Sequence, residues 1–247
     1  MIGSLKLIAA VLVICTLGAG AFAGDFGPLK GAKCGSGGKS VVVFLPGDAS
    51  RGGPATYHCA LMRQRAQEGV TAIVLLRPGD DDAIQTSAGA PHERRDQDTK
   101  ANNDLVAKSW SAVKDANPGE RLGVAGHTDG AAQLGAIIER YPGLVNSAML
   151  QSCPCDIKIW RAKYSPFSGR EKQSPIKFAG TIGQGMRVIA LTGAEDDNMW
   201  PGLAEAYVGN VKSAGTPARF VKTSGANHWN GTLQSAVVKT MIAEATR

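Results

Sequence analysis

The chain is poor in aromatic residues, which make up 6% of its 247 positions, and only 19% of its residues are charged. So few aromatics leave no stacking platform for single-stranded nucleic acid, and the formal net charge of +6 is too small for a polyanion-binding surface. No apolar run of membrane-spanning length occurs beyond the first two dozen residues, which excludes a polytopic membrane protein. No repeat of constant period is found, and glycines, 31 in all, fall every few residues and exclude a coiled coil. What remains is a globular composition, 43% apolar, long enough for one large domain and short for two.

The N-terminal stretch has one positive charge, Lys6, then an apolar run from Leu7 that ends in Ala21-Phe22-Ala23. That order predicts a secretory signal over residues 1–23, cleaved after Ala23, and a mature domain over 24–247. An uncleaved anchor and a lipid-modified Cys15 are the alternatives. Export places the protein outside the cytoplasm, periplasmic or secreted, with no membrane span after cleavage. Cleavage removes one lysine, so the net charge becomes +5 (+6 − 1).

Four cysteines then remain, Cys34, Cys59, Cys153 and Cys155, and they permit three pairings. A bridge between Cys153 and Cys155 would close a very small ring. A Cys34–Cys59 disulfide is therefore expected, tying a loose N-terminal segment to the body. The Cys153/Cys155 pair has no second cluster to make a metal or redox site, so no metal and no cofactor is expected.

Six short β-branched runs recur, at Val41–Leu45, Thr71–Leu76, Leu122–Ala125, Val145–Leu150, Val188–Leu191 and Arg219–Thr223. They are apolar nearly throughout, as strands covered on both faces are. Helical spacing separates them: Tyr57 and Leu61 within 54–67; Leu105, Val106, Trp110 and Val113; Leu134, Ile137, Ile138 and Tyr141; Leu203, Tyr207 and Val211; Leu233, Val237 and Met241. The alternation predicts an α/β fold with a mostly parallel central sheet and helices on both faces. In such folds ligands bind beyond the carboxyl ends of the strands, so the loops there are the ones to search. Two are long, 77–103 and 152–180. The second reads as a lid-like insertion carrying Arg161, Lys163, Arg170, Lys172 and Lys177 against a lone Glu171.

Leu122–Gly130 reads LGVAGHTDG: a buried strand, a glycine-flanked turn centred on Thr128, then a helix. That is the form of a nucleophile elbow, with threonine where serine usually stands. Carboxylates follow the strand Val188–Leu191 in VIALTGAEDD, where Asp196 and Asp197 compete for the role of acid and Glu195 is a weaker third. His228 follows the last strand in RFVKTSGANHW. Nucleophile, acid and histidine thus come in the order that an acyl-transfer triad on this kind of sheet requires. His58 in a helix, His92 in a polar loop and His127 inside the turn read as structural.

These segments resemble the α/β-hydrolase superfamily, and more narrowly exported bacterial hydrolases of prolyl-oligopeptidase and dienelactone-hydrolase type. The likeness rests on VVVFLPGD at 41–48, ERRD at Glu93–Asp96, GHTDGA at Gly126–Ala131, SCPCD at Ser152–Asp156, TGAEDDN at Thr192–Asn198 and GANH at Gly225–His228. It implies hydrolysis of an ester or amide bond in a small-molecule or peptide substrate. Thr128 would be the nucleophile, His228 the base and Asp196 the acid, with Asp197 as the alternative. Backbone N–H groups of Asp48 and Asp129 would hold the oxyanion. The departure is Thr128 itself, where the family has serine. A β-branched residue at a strained turn, with a methyl beside its hydroxyl, makes a catalytically disabled binding protein the competing reading.

Overall fold

The computed structural model describes residues 22–35, 37–47, 59, 62–63, 69–82, 85–89, 98–164, 173–229, 235–237, 239–240 and 243–244. Eight strands form one sheet in the spatial order β1-β2-β4-β3-β5-β6-β7-β8. Their ranges are β1 Phe22–Phe26, β2 Leu29–Gly35, β3 Ser40–Leu45, β4 Val70–Leu75, β5 Arg121–His127, β6 Ser147–Gln151, β7 Arg187–Gly193 and β8 Ala218–Thr223. From β4 across to β8 every pairing is parallel. The six runs read from the sequence are these six parallel strands; β3 to β6 are buried at nearly every position, which explains their unbroken apolar character.

The N-terminal segment is not loose. β1 and β2 form an antiparallel hairpin, and β2 pairs antiparallel with β4. Small residues hide this strand in the sequence: Gly31 lies where a Cβ would overlap the backbone of Val74, and Leu29 is fully buried. The hairpin also contains the expected cleavage point, since Ala23 pairs with Ala32. Among the described residues no helix is long and apolar enough to cross a membrane.

One face of the sheet packs on α1 (Lys100–Ala116), α2 (Asp129–Ile137) and α4 (Pro201–Ser213), through Trp110, Leu134, Ile137, Tyr207 and Val211. The other packs on helical residues at Cys59, Met62 and Val237. The helices expected over 54–67 and 233–241 lie largely outside the described residues, as does His58. α1 starts where Thr99 accepts a hydrogen bond from the Asn102 N–H and stops at Asn117, before Pro118-Gly119. α2 ends at Ile137, earlier than its apolar spacing suggests, so Tyr141 lies in the turn beyond it.

Tyr141 has a structural task there. Asp104 of α1 accepts hydrogen bonds from Lys100 (2.9 Å) and Tyr141 (2.8 Å) and pairs with Arg140. Partial burial pushes the Asp104 carboxyl up, but the bonds from Lys100, Tyr141 and Arg140 outweigh it and hold the group down at about 2. A depressed carboxylate stabilises the fold above its unfolded pKa and loses that contribution as pH falls toward 2. Asp104→Asn is therefore expected to cost roughly 1 kcal/mol near pH 7 after allowance for solvent screening. Urea unfolding should show the gap between native and variant closing between pH 4 and pH 2.

The insertion at 152–180 is more structured than a plain loop. It holds α3 (Ile157–Tyr164) and a 3₁₀ turn at Pro175–Lys177, tied together because Ser174 accepts from the Ile157 N–H and the Ile176 N–H donates to Cys155. Arg170, Glu171 and Lys172 lie outside the described residues. At its start Cys153 and Cys155 are disulfide-bonded, contrary to the expectation from ring size. The chain turns at Ser152, with φ 45°, and the two Cα atoms stand 5.0 Å apart, a bridgeable separation. The Cys34–Cys59 disulfide is present as well, with Cα atoms 5.2 Å apart.

Candidate active site

Thr128, Asp196 and His228 lie just beyond the carboxyl ends of β5, β7 and β8. β5 ends at His127 and α2 begins at Asp129, so Thr128 alone makes the turn. Its backbone, φ 48° and ψ −111°, lies in a region that β-branched residues avoid. The Thr128 N–H donates to the Gln151 carbonyl of β6, and its own carbonyl accepts from Ala132, so the turn is pinned on both sides. Two glycines make it possible. A Cβ at Gly126 would strike the backbone of Gly130, and one at Gly130 would overlap the carbonyl oxygens of Leu45 and Pro46.

The acid and the histidine are brought together by a third glycine. A Cβ at Gly193 would overlap the Ala226 carbonyl, and across this close approach the Glu195 N–H donates to Ala226 at 2.9 Å. The result is a hydrogen bond of 2.9 Å between Asp196 Oδ2 and His228 Nδ1, both residues being buried. The other Asp196 oxygen accepts from the Met199 N–H at 2.8 Å. A carboxylate held at both oxygens fixes the ring it touches, leaving Nε2 as the nitrogen able to exchange a proton. Asp197 is exposed, and its carbonyl accepts from Lys163 Nζ of α3 at 2.8 Å. Lys163 also lies 4.7 Å from the Trp200 ring, so α3 is moored to the loop that follows β7.

The described residues contain no hydrogen bond between the Thr128 hydroxyl and His228. His127, which precedes Thr128 in the chain, has its ring centroid 5.1 Å from that of His228. Trp229 stands edge-on to both rings, 4.6 Å from His228 and 5.1 Å from His127, and is 58% exposed. In the sequence His127 reads as structural, and no pattern there marks Trp229, although it directly follows His228. The Thr128 methyl lies against Gly47, where a Cβ would overlap Thr128 Cγ2. Asp48, Glu93 to Asp96 and His92 lie outside the described residues. Asp129 is half-buried at the start of α2, where helix geometry leaves the first N–H groups without helical partners. Among the described residues, no group of three or more His, Cys, Asp or Glu side chains could hold a metal ion.

No family model and no curated protein matches the sequence. Solved structures do match. A puromycin-hydrolyzing peptidase of Mycobacterium tuberculosis superposes with a TM-score of 0.71 at 17% identity, over 91% of this chain and 38% of that one. Est1E from Butyrivibrio proteoclasticus gives 0.62 at 13% identity, over 93% and 100%. The acylaminoacyl peptidase of Pyrococcus horikoshii gives 0.64 at 15%, over 92% and 41%. The chain thus spans about two-fifths of the two peptidases and the whole of Est1E. At such identities the likeness concerns architecture alone, and the architecture is the α/β-hydrolase fold.

Proposed function

We propose that the chain is an exported hydrolase that cleaves an ester or amide bond by acyl transfer. The buried Asp196–His228 hydrogen bond, set beside a strained elbow residue that bears a hydroxyl, is the observation that carries this reading. Thr128 Oγ1 attacks the substrate carbonyl carbon while His228 Nε2 takes the hydroxyl proton. The oxyanion is held by backbone N–H groups of Asp129 and Asp48. Collapse of the tetrahedral intermediate breaks the bond to the leaving group, which departs with the proton from His228. Water then adds to the acyl-threonine, its proton passing to His228, and releases the acid with Thr128 restored. Asp196 keeps the imidazole oriented and stabilises its charged form. The structurally similar esterase and peptidases fit this chemistry, and the two disulfides together with the N-terminal apolar run fit export.

Labelling with a fluorophosphonate tests it. The expected result is a single phosphonylated peptide containing Thr128, absent from His228→Ala. Failure of the native chain to label, with Thr128→Ser labelling readily, would sink the enzymatic reading and favour a binding protein on this scaffold. The methyl of Thr128 packed on Gly47 is the observation on that side.

A further inference from the structure

Asp129 carries a negative charge where acyl transfer has least use for one. Its backbone N–H is one of the two donors assigned to the oxyanion, and a carboxylate on the same residue opposes the charge that gathers there. Covalent geometry keeps the two together. The carboxyl carbon is three bonds from the Asp129 nitrogen, so it stays within about 4 Å of that nitrogen in any rotamer. An oxyanion about 3 Å from the same nitrogen is then within about 7 Å of that carbon.

The elbow cannot relieve this by turning residue 129 away. On one side the Thr128 N–H is bonded to the Gln151 carbonyl, and on the other Gly130 lies directly on the Leu45 and Pro46 carbonyls. No group of the protein neutralises the charge either. Among the described residues Asp129 has neither a hydrogen-bond nor an ion-pair partner. Asp196, by contrast, has both oxygens engaged. Asp129 is only half-buried, so a bound molecule can reach it. A carboxylate in that position is matched by a cation brought from outside.

We propose that the Asp129 carboxylate is a subsite for an organic cation carried by the substrate. The substrate class is an ester or amide with an ammonium group within about four bonds of the scissile carbonyl, on its acyl side or on its leaving group. The ammonium pairs with Asp129 and cancels its field at the oxyanion, so that the charge of the substrate completes the oxyanion site. A neutral ester sits beside an uncompensated carboxylate and reacts more slowly. The effect on rate rests on the hydrolase reading, whereas cation binding is measurable without turnover.

Two pairs of near-isosteric esters test this, each pair differing in charge. The p-nitrophenyl esters of alanine and of isobutyric acid place an ammonium, or a methyl group in its stead, on the acyl side. Acetylcholine and 3,3-dimethylbutyl acetate do the same on the leaving group. Each kcat/KM is taken at about pH 6, below the α-amino range, and divided by the spontaneous rate in the same buffer. The native chain is expected to favour the cation in at least one pair by about tenfold or more, the order set by a hydrogen bond between charged groups. Asp129→Asn should bring that ratio close to one, and the pair that responds identifies the side of the substrate. The neutral esters should gain about twofold in the variant, because the opposing charge has gone. An aspartate that merely stabilises the N-terminus of α2 would lower the melting temperature of Asp129→Asn and leave both ratios unmoved. That result overturns the proposal, as does a native chain indifferent to charge in both pairs. If Asp129→Asn does not fold, Asp129→Ser replaces it. Should all four esters prove inert, NMR titration with choline and with alaninamide decides. Binding of either one, weakened about tenfold or more in the variant, sustains the subsite although the hydrolase reading has failed. No binding, or binding that the variant leaves unmoved, ends it.

Discussion

Thr128→Ser is expected to hydrolyse small activated esters at least several-fold faster than the native chain, while Thr128→Ala and His228→Ala fall to a common residual rate. The first half follows from the turn. A residue at φ 48° and ψ −111° carries backbone strain, and a β-branched side chain there also has fewer staggered positions open to it. The threonine methyl, packed on Gly47, restricts the hydroxyl further. Serine removes the methyl and keeps the oxygen. Recovery of ~1.4 kcal/mol in the transition state would appear as about tenfold in rate. The second half follows from the acid–histidine bond: groups that act as one unit do not lose rate additively, and either deletion should cost on the order of 10³-fold or more. Asp196→Asn belongs in the same series and should fall steeply, because the 2.9 Å bond that orients His228 would then favour the wrong tautomer. Steady-state kinetics with p-nitrophenyl acetate checks all four. A native chain no faster than Thr128→Ala, alongside an inert Thr128→Ser, would mean that the pocket does not support acyl transfer.

Much of this was legible in the residues, for definite reasons. Strands covered on both faces are continuous apolar runs, so β3 to β7 stand out, and the half-buried β8 still shows through its aromatic and β-branched residues. The β1–β2 hairpin does not, because LKGAKCG packs by backbone proximity at Gly31 and not by side-chain bulk. α3 is short, and its run of basic residues disguises it as solvated loop. Ring size argued against a Cys153–Cys155 bridge, but the positive φ of Ser152 bends the chain enough to permit one, and no pattern of residue types announces that bend.

In the candidate site, chain order placed Thr128, an acid and His228 on one edge of the sheet. It could not choose between Asp196 and Asp197. That choice depends on which way one tight turn faces, and the close approach at Gly193 turns Asp196 inward while Asp197 stays exposed. The contacts of His127 with His228 and Trp229 are relations between segments far apart in the chain. Only the assembly of β5 to β8 in one sheet brings them together.

Gly47→Ala should be disruptive in the native chain and nearly harmless in Thr128→Ser. An added Cβ at position 47 would occupy the place of Thr128 Cγ2 and come within 3.4 Å of His127 Nδ1. Two escapes exist. The threonine can rotate, which swings its hydroxyl out of the working position, or the 46–47 segment can move off the elbow. The second escape disturbs Gly130, which is glycine because it packs directly on the Leu45 and Pro46 carbonyls. Overpacking of this kind costs typically about 1–3 kcal/mol. Thr128→Ser deletes the obstructing methyl, so the alanine then meets open space on that side. Thermal unfolding of the four chains in the cycle should give a favourable coupling of roughly 0.5–3 kcal/mol between positions 47 and 128. Esterase activity should follow it, with Gly47→Ala losing most of the native rate and the double variant approaching Thr128→Ser. Strict additivity in both measurements would place the methyl elsewhere and leave backbone strain alone to account for the handicap of the threonine. Coupling in stability without coupling in rate would mean that the methyl shapes the turn while the hydroxyl takes no part in turnover.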